Sequence, residues 1–200
     1  AILALVISIL ATMDRFAWIK GIFQALPPFF VSLPSFWLGI ILIQIVSFRL
    51  GWVPVIGTTP AQGLILPTIT LSIPITAPLA QVLIRSIEEV KAQPFIAAVR
   101  ARGAGEMWIF FRNIIRNALL PTLTIAGILF GELVGGAVVT EAVFGRAGLG
   151  QMTVNAVANR DMPVMLAIVV IAAAVYVLIN LIVDLLYPVL DARLRRRERA

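Results

Sequence analysis

An all-α fold, a polytopic bundle of transmembrane helices, is predicted by three observations. The chain is 60% hydrophobic and only 13% charged, with a mean hydropathy of +1.02 over 200 residues. A soluble domain is about a quarter charged, so this composition cannot cover a water-facing surface. Charge-free runs recur at 21–48, 64–84 and 162–183, each long enough for the ~20 residues a spanning helix needs. The charges gather in islands between the runs. Cys and His are both absent, which removes thiol chemistry, disulfides, His-based acid–base catalysis and most transition-metal sites, and no cofactor is expected. The net charge of +6 and pI near 11 come from Arg and Lys beside apolar runs, where the positive-inside rule places them. The basic balance therefore reads as membrane topology, with lipid as the partner and no nucleic acid.

The elements follow in order. Residues 1–11, AILALVISILA, are apolar but about half a span, and they lack the basic leader of a signal peptide. They read as the end of a truncated first span. Asp14, Arg15 and Lys20 form a charged turn with Phe16 and Trp18 at interfacial depth. The run 21–48 would measure ~40 Å as a helix. Pro27, Pro28 and Pro34 predict that its early part is kinked or irregular. Arg49 closes it, and LGWVPVIGTTPAQG reads as a loop with Trp52 at the interface. The run 64–84 contains Pro67, Pro74 and Pro78, which serve either pathway plasticity or packing kinks.

Residues 119–140 form the next span. Gly127, Gly131 and Gly135 recur at steps of four, a pattern that lets another helix approach closely. Glu132 lies inside this span, where a carboxylate is either a pathway group or a bundle-facing group hydrogen-bonded for packing. The cost of burying it unpaired predicts an inward orientation and a polar or basic partner. Residues 141–163 are too short and polar to span; they read as a loop and a short surface or re-entrant helix near 149–158. The last span is 162–183, ended by Asp184 and followed by a basic tail, Arg193 to Arg199. The count is about five spans, the first truncated, in a single transmembrane domain over 1–200.

The largest charged island runs from about 85 to 118. No GxxxxGK[ST] is present, since Gly21 follows Lys20 and Ala92 follows Lys91, so the chain has no P-loop for nucleotide phosphates. No GxSxG elbow is present either. The island does hold two helical pieces. Pro94 suits a first helical turn, small Ala97, Ala98 and Ala101 follow, and Gly103 can take the left-handed conformation that ends a helix. The second piece repeats Met107, Phe110, Phe111, Ile114, Ile115 and Ala118 on one face, with Arg112, Asn113 and Arg116 opposite and Trp108 at an interfacial position. It reads as a helix lying along the membrane surface beside a small-residue helix that projects from it, a shape suited to docking. If the island is cytoplasmic, alternation leaves only Arg49, Arg146 and Arg160 of all the Lys and Arg on the far side, a bias that fixes the orientation.

These residues carry a family resemblance over essentially the whole chain. The island resembles the cytoplasmic coupling loop, or EAA loop, of binding-protein-dependent ABC importer permeases, and most closely the peptide/nickel (dipeptide and oligopeptide) branch. Gln93, Phe95, Ile96, Arg100, Ala101, Arg102, Gly103, Glu106, Arg112, Arg116 to Pro121 and Thr124 stand where that branch has the same or a similar residue. So do LPSFWL at 33–38, LGWVP at 50–54, GGAVVTE at 135–141, Phe144-Gly145, Gly148-Leu149-Gly150, RDMP at 160–163 and NLIVD at 180–184. The departures are Pro94 where the family often has an acid, Ala97 where a base is common, and Ala97-Ala98-Val99 in place of Glu-Ala-Ala.

The resemblance implies an importer permease fold and a transport subunit that is not itself an enzyme, in the inner membrane. Its partners would be a second homologous permease subunit, two ATP-hydrolysing subunits and an extracytoplasmic solute-binding protein. The ATPase would dock on Phe95, Ala98, Arg100, Ala101, Arg102, Gly103 and Glu106, and Glu132 would lie on the substrate pathway. Importers of dipeptides, oligopeptides, glutathione, opines and nickel complexes share these motifs. The alternative is a secondary carrier or channel not driven by an ATPase; it needs a relay or ring of charges along its path, and Glu132 is the one candidate. An intramembrane enzyme needs a catalytic set that this chain lacks.

The orientation is directly testable because the chain has no Cys of its own. In intact cells, Asn159→Cys should react with an impermeant thiol reagent from outside and Ala104→Cys should not. The reverse pattern would overturn the orientation.

Overall fold

The computed structural model describes residues 1–13, 17–57 and 59–190. The turn expected at Asp14 and Arg15, the Phe16 and Trp18 side chains, and the basic tail lie outside the described residues. Those described fold entirely as helices, turns and loops. Nine α-helices follow in order: α1 (Ile2–Thr12), α2 (Ala17–Val31), α3 (Ser35–Leu42), α4 (Gln62–Lys91), α5 (Pro94–Ala101), α6 (Glu106–Ile109), α7 (Ile115–Val143), α8 (Leu149–Ala158) and α9 (Met162–Leu190). Two π-helical segments, Ile43–Arg49 after α3 and Phe110–Ile114 between α6 and α7, continue the helices they adjoin.

Among the described residues, three helical stretches are long and apolar enough to cross a membrane: Gln62–Lys91, Glu106–Val143 and Met162–Leu186. The pair Lys20–Val31 and Ser35–Arg49 makes a fourth if it counts as one span, but it bends by 106° at the break. Pro27 and Pro28, expected to disturb this region, lie inside α2. The break is at residues 32–34. Pro34 disfavours helical geometry at the residue before it, and it sits extended at φ −62, ψ 132 as the N-cap of α3. Pro67, Pro74 and Pro78 lie within α4 without breaking it. Thr70 and Ser72 there donate hydroxyl hydrogen bonds to the Leu66 and Ile69 carbonyls at 2.9 and 3.1 Å, the local satisfaction that a helix in lipid requires. Asp184 does not end the last helix, which continues to Leu190; one carboxylate costs a helix little once the chain nears the interface.

The chain divides into two compact units. The first comprises Ala1–Pro28, Thr76–Ile128 and Ile179–Ala200. Its core joins Leu83, Ile87 and Val90 of α4, Ile96 of α5, Ile109 of α6, Phe110 and Ile114 of the π segment, and Ala118 of α7. α1 packs its buried Ala4, Ile7 and Ala11 inward, and the Ser8 hydroxyl donates to the Ala80 carbonyl at 3.3 Å. Lys91 closes the end of α1 by donating to the Thr12 carbonyl, with its ammonium 5.8 Å from the Phe110 ring centroid. A cation at a helix C-terminus is the favourable end of the macrodipole.

The second unit comprises Phe29–Ile75 and Leu129–Leu178. Gly39 lets α3 reach the end of α7, for a Cβ there would lie 3.1 Å from Val143 and 3.3 Å from Phe144. Beyond the end of α7 the chain turns at Gly145, φ +59, and the Arg146 N–H returns to the Glu141 carbonyl at 2.9 Å. The Glu141 carboxylate then accepts the Gln151 N–H at 2.9 Å, capping the first turn of α8 from another helix. It fills the space beside Gly148 and Gly150: a Cβ on Gly148 would fall 2.2 Å from Glu141, and one on Gly150 2.5 Å from the Val138 Cα. Asp161 caps α9 in turn, accepting the Val164 N–H at 3.2 Å.

The three-glycine stripe of α7 is used only in part. Gly127 lies against Asn180 in the first unit and Gly131 against Tyr176 in the second, but nothing is within 4 Å of a Cβ on Gly135. Each step of four advances the face by about 40°, so the third glycine has turned away from α9.

Backbone cannot yield as a side chain can. Gly150→Ala should therefore displace α8 and lower the thermal unfolding midpoint in detergent, at a cost of about 1–3 kcal/mol for an overpacked site. Gly21→Ala, which meets nothing within 4 Å, should leave the midpoint unchanged or slightly higher; equal midpoints for both would refute the tight approach.

Candidate functional site

The site expected at the charged island is built on α5. Gln93, extended at φ −73 and ψ 142, precedes Pro94 at the first helical position, where a missing N–H costs nothing and φ is already helical. The helix then divides by face. Ile96 is buried and Phe95 and Val99 are half-buried against the first unit's core. Pro94, Ala97, Ala98 and Ala101 are exposed at spacings of three and four, which align them on one side of a helix. α5 thus shows outward a narrow strip of small side chains, held from behind by a branched aliphatic anchor. Phe95, expected at the docking surface, spends part of its ring on this anchoring.

Arg102 caps α5, its N–H returning to the Val99 carbonyl at 3.2 Å, and the Gly103 N–H returns to Arg100 at 3.0 Å. Gly103 sits at φ +83 with open space where a Cβ would stand. Its requirement is one of backbone conformation, not of room. The chain then reverses through Ala104 and Gly105 into α6. Arg100 and Glu106 meet across the reversal: the guanidinium Nη2 donates to Oε2 at 3.0 Å and Nε donates to Oε1. The Glu106 hydrogen bond, with its charge, raises the Arg100 pKa above its ordinary value. Both side chains remain more than half exposed, at 56% and 67%, so the pair shapes the turn more than it stabilises the fold. Behind it Met13, Lys91, Met107, Phe110 and Ile114 line a recess of about 500 Å³ with the pair at its rim.

The second piece of the island differs from expectation. It is not a separate surface helix: Glu106–Val143 is one continuous helical run of 38 residues, passing through the π segment at 110–114. The apolar positions singled out in the sequence do not all turn inward; Phe110, Ile114 and Ala118 are buried and Ile115 half-buried, whereas Met107 and Phe111 are exposed. A π segment places about one extra residue in a turn, which rotates the residues before it relative to those after it, so one α-helical period cannot describe both. Among the described residues, the Asn113 side-chain nitrogen there is buried without a hydrogen-bond partner.

Glu132 lies apart from this cluster, on α7, exposed and without a hydrogen-bond or ion-pair partner among the described residues. The inward orientation expected for it is not observed. Sequence reasoning also passed over Ile96 as an anchor, Lys91 as a helix-end cation and Glu141 as a cap. An acid followed within ten residues by a Gly-x-Gly helix start is the one signal that could have marked Glu141.

The helices define a polytopic membrane chain with a short exposed helix set between two spans, and comparison with known proteins gives its family. The profile of the family described as binding-protein-dependent transport system inner membrane component matches residues 4–196. The chain belongs to that family. It is similar to the glutathione transport system permease protein GsiC of Escherichia coli K12, 36% identical over 187 residues that cover 94% of this chain and 61% of that protein. The protein of the same name from Salmonella choleraesuis SC-B67 is 36% identical over 189 residues, 94% of this chain and 62% of that one. The chain therefore spans a little over three-fifths of the length of these relatives. A chain of the MetNI methionine ABC transporter, solved in an inward-facing conformation, superposes with a TM-score of 0.73 at 24% identity, covering 95% of this chain and 87% of that one. That likeness establishes the fold.

If the Arg100–Glu106 pair braces the reversal, Glu106→Gln should raise tryptic cleavage after Arg102 roughly two- to fivefold, as should high salt on the unaltered protein. The exchange Arg100→Glu with Glu106→Arg should restore protection. Cleavage indifferent to all three would show that the pair braces nothing.

Proposed function

We propose that this chain is the permease subunit of an ATP-driven importer that carries small peptides or related solutes into the cytoplasm. The whole chain acts as one membrane domain, and residues 85–118 form its cytoplasmic coupling loop. The observation that carries the reading is the two-faced α5: Ile96 fastens it to the first unit, while Pro94, Ala97, Ala98 and Ala101 stay bare. A helix so held transmits a push without deforming, and small side chains let a partner's backbone approach. A chain with no nucleotide site of its own is driven only through such a contact.

The ATPase docks on Ala98, Ala101 and Arg102, with Phe95 at the edge and Arg100, Gly103 and Glu106 setting the turn that presents them. Two ATPase subunits, a second related permease subunit and an extracytoplasmic solute-binding protein complete the assembly, and Glu132 lies on the solute path. The glutathione permeases among the relatives support a solute of small-peptide size.

At φ +83 a Cβ costs roughly 1–2 kcal/mol, and more when branched. Every 1.4 kcal/mol is tenfold in affinity. Gly103→Val should therefore leave membrane insertion intact while retention of the ATPase in pull-downs falls about tenfold or more and uptake in the same membranes is lost. Gly105→Ala, at φ −69 with open space around it, should change neither. Normal uptake by Gly103→Val would make the loop a mere connector.

A further inference from the structure

Three sides of α7 in the second unit are distinguishable. One meets α9, where Gly131 lies against Tyr176, and another meets α4, where a Cβ on Gly136 would lie 3.3 Å from Leu71. Between them Glu132, Gly135 and Val139 are exposed at spacings of three and four, and nothing is within 4 Å of the place of a Gly135 Cβ. These three share one face. Glu132 is eleven residues from the end of α7 at Val143, or ~16 Å along the axis, near the middle of a ~30 Å hydrocarbon layer. A carboxylate facing lipid at that depth is expensive, and it has no partner among the described residues.

The sequence narrows what can stand opposite. The runs 21–48, 64–84, 117–140 and 162–183 contain no Lys or Arg, so these spans of a second copy could bring Glu132 amides and hydroxyls but no cation. A hydrated path carrying a cation satisfies it by charge. Resting on the permease reading above, we propose that the open face of α7 lines the aqueous solute path and that the Glu132 carboxylate binds the ammonium group of a passing zwitterionic or cationic solute. The aliphatic Val139 and bare Gly135 beside it hold the rest of such a solute weakly, as passage requires.

The test needs no knowledge of the solute. Gly135→Cys places a thiol in open space one turn from Glu132, in a chain with no other Cys. In the assembled transporter its reaction with the cationic trimethylammonium-ethyl methanethiosulfonate is compared with that of the anionic sulfonatoethyl reagent, each normalised to Ala61→Cys in the exposed turn before α4. A focused negative site raises local cation concentration tenfold or more, so the normalised cation preference should be about tenfold and should vanish when Glu132→Gln is added. Equal rates, or a preference that survives Glu132→Gln, would overturn the ammonium site. Failure of either reagent to react would show the face sealed by lipid or protein, with the same consequence. The permease reading fails separately: a cation-selective face in an assembly that retains no ATPase would leave the Glu132 site standing and remove the importer.

Discussion

Ile96 is the fastening on which the arrangement at the charged island depends. It is the one fully buried side chain of α5, set among Leu83, Ile87 and Val90 of α4 and Ile109, Phe110 and Ile114 beyond the reversal. An eight-residue helix is far below the length at which a helix persists alone in water. Its existence is therefore a consequence of packing, and the burial of one branched aliphatic side chain is worth about 1.5–3 kcal/mol. Pro94 and Gly103 set where α5 begins and ends, while Ile96 and the half-buried Phe95 and Val99 set which side it turns outward. The exposed Arg100–Glu106 pair is screened by water and trims the turn between α5 and α6.

The π segment at Phe110–Ile114 matters because it lies between this fastening and a span. The helix that starts at Glu106, beside the turn, is the same one that carries Glu132 and Glu141 and ends at Val143. The wide turn at 110–114 is the local feature of that helix that can absorb or redirect a displacement of α5. The unsatisfied Asn113 nitrogen in that turn fits a place where regular helix has been given up. At the far end the Glu141 carboxylate, against the Gln151 N–H and the two bare glycines of α8, holds the short helix that follows. One helix thus carries one side of the reversal after α5, an exposed acid and a cap.

Much of this was legible in the residues. Composition and charge-free runs dictate a helical membrane protein, because only closed backbone hydrogen bonding survives in hydrocarbon. Pro94 and Gly103 mark the ends of α5 through rules that act within a residue or two, and the order of polar motifs marks the family. The errors share a cause. Pro27 and Pro28 were weighed like Pro34, yet only Pro34 forces a break, since neighbours can satisfy carbonyls freed inside a helix. The surface helix expected at 107–118 proved to be the start of a span, because a π turn shifts the apolar period and periodicity was the only guide.

By itself the sequence determined the class of protein, the bounds of α5 and the turn at Gly103, all set by local geometry and by the solvent the chain must face. Tertiary structure alone decided which face of each helix is used. It gave Gly127 and Gly131 to α9 and left Gly135 open, turned Glu132 outward rather than inward, paired Arg100 with Glu106 and spent Glu141 on a cap. Those outcomes depend on which neighbour arrives on which side of a helix, and at 100° per residue a spacing along the chain names a face without naming what will cover it.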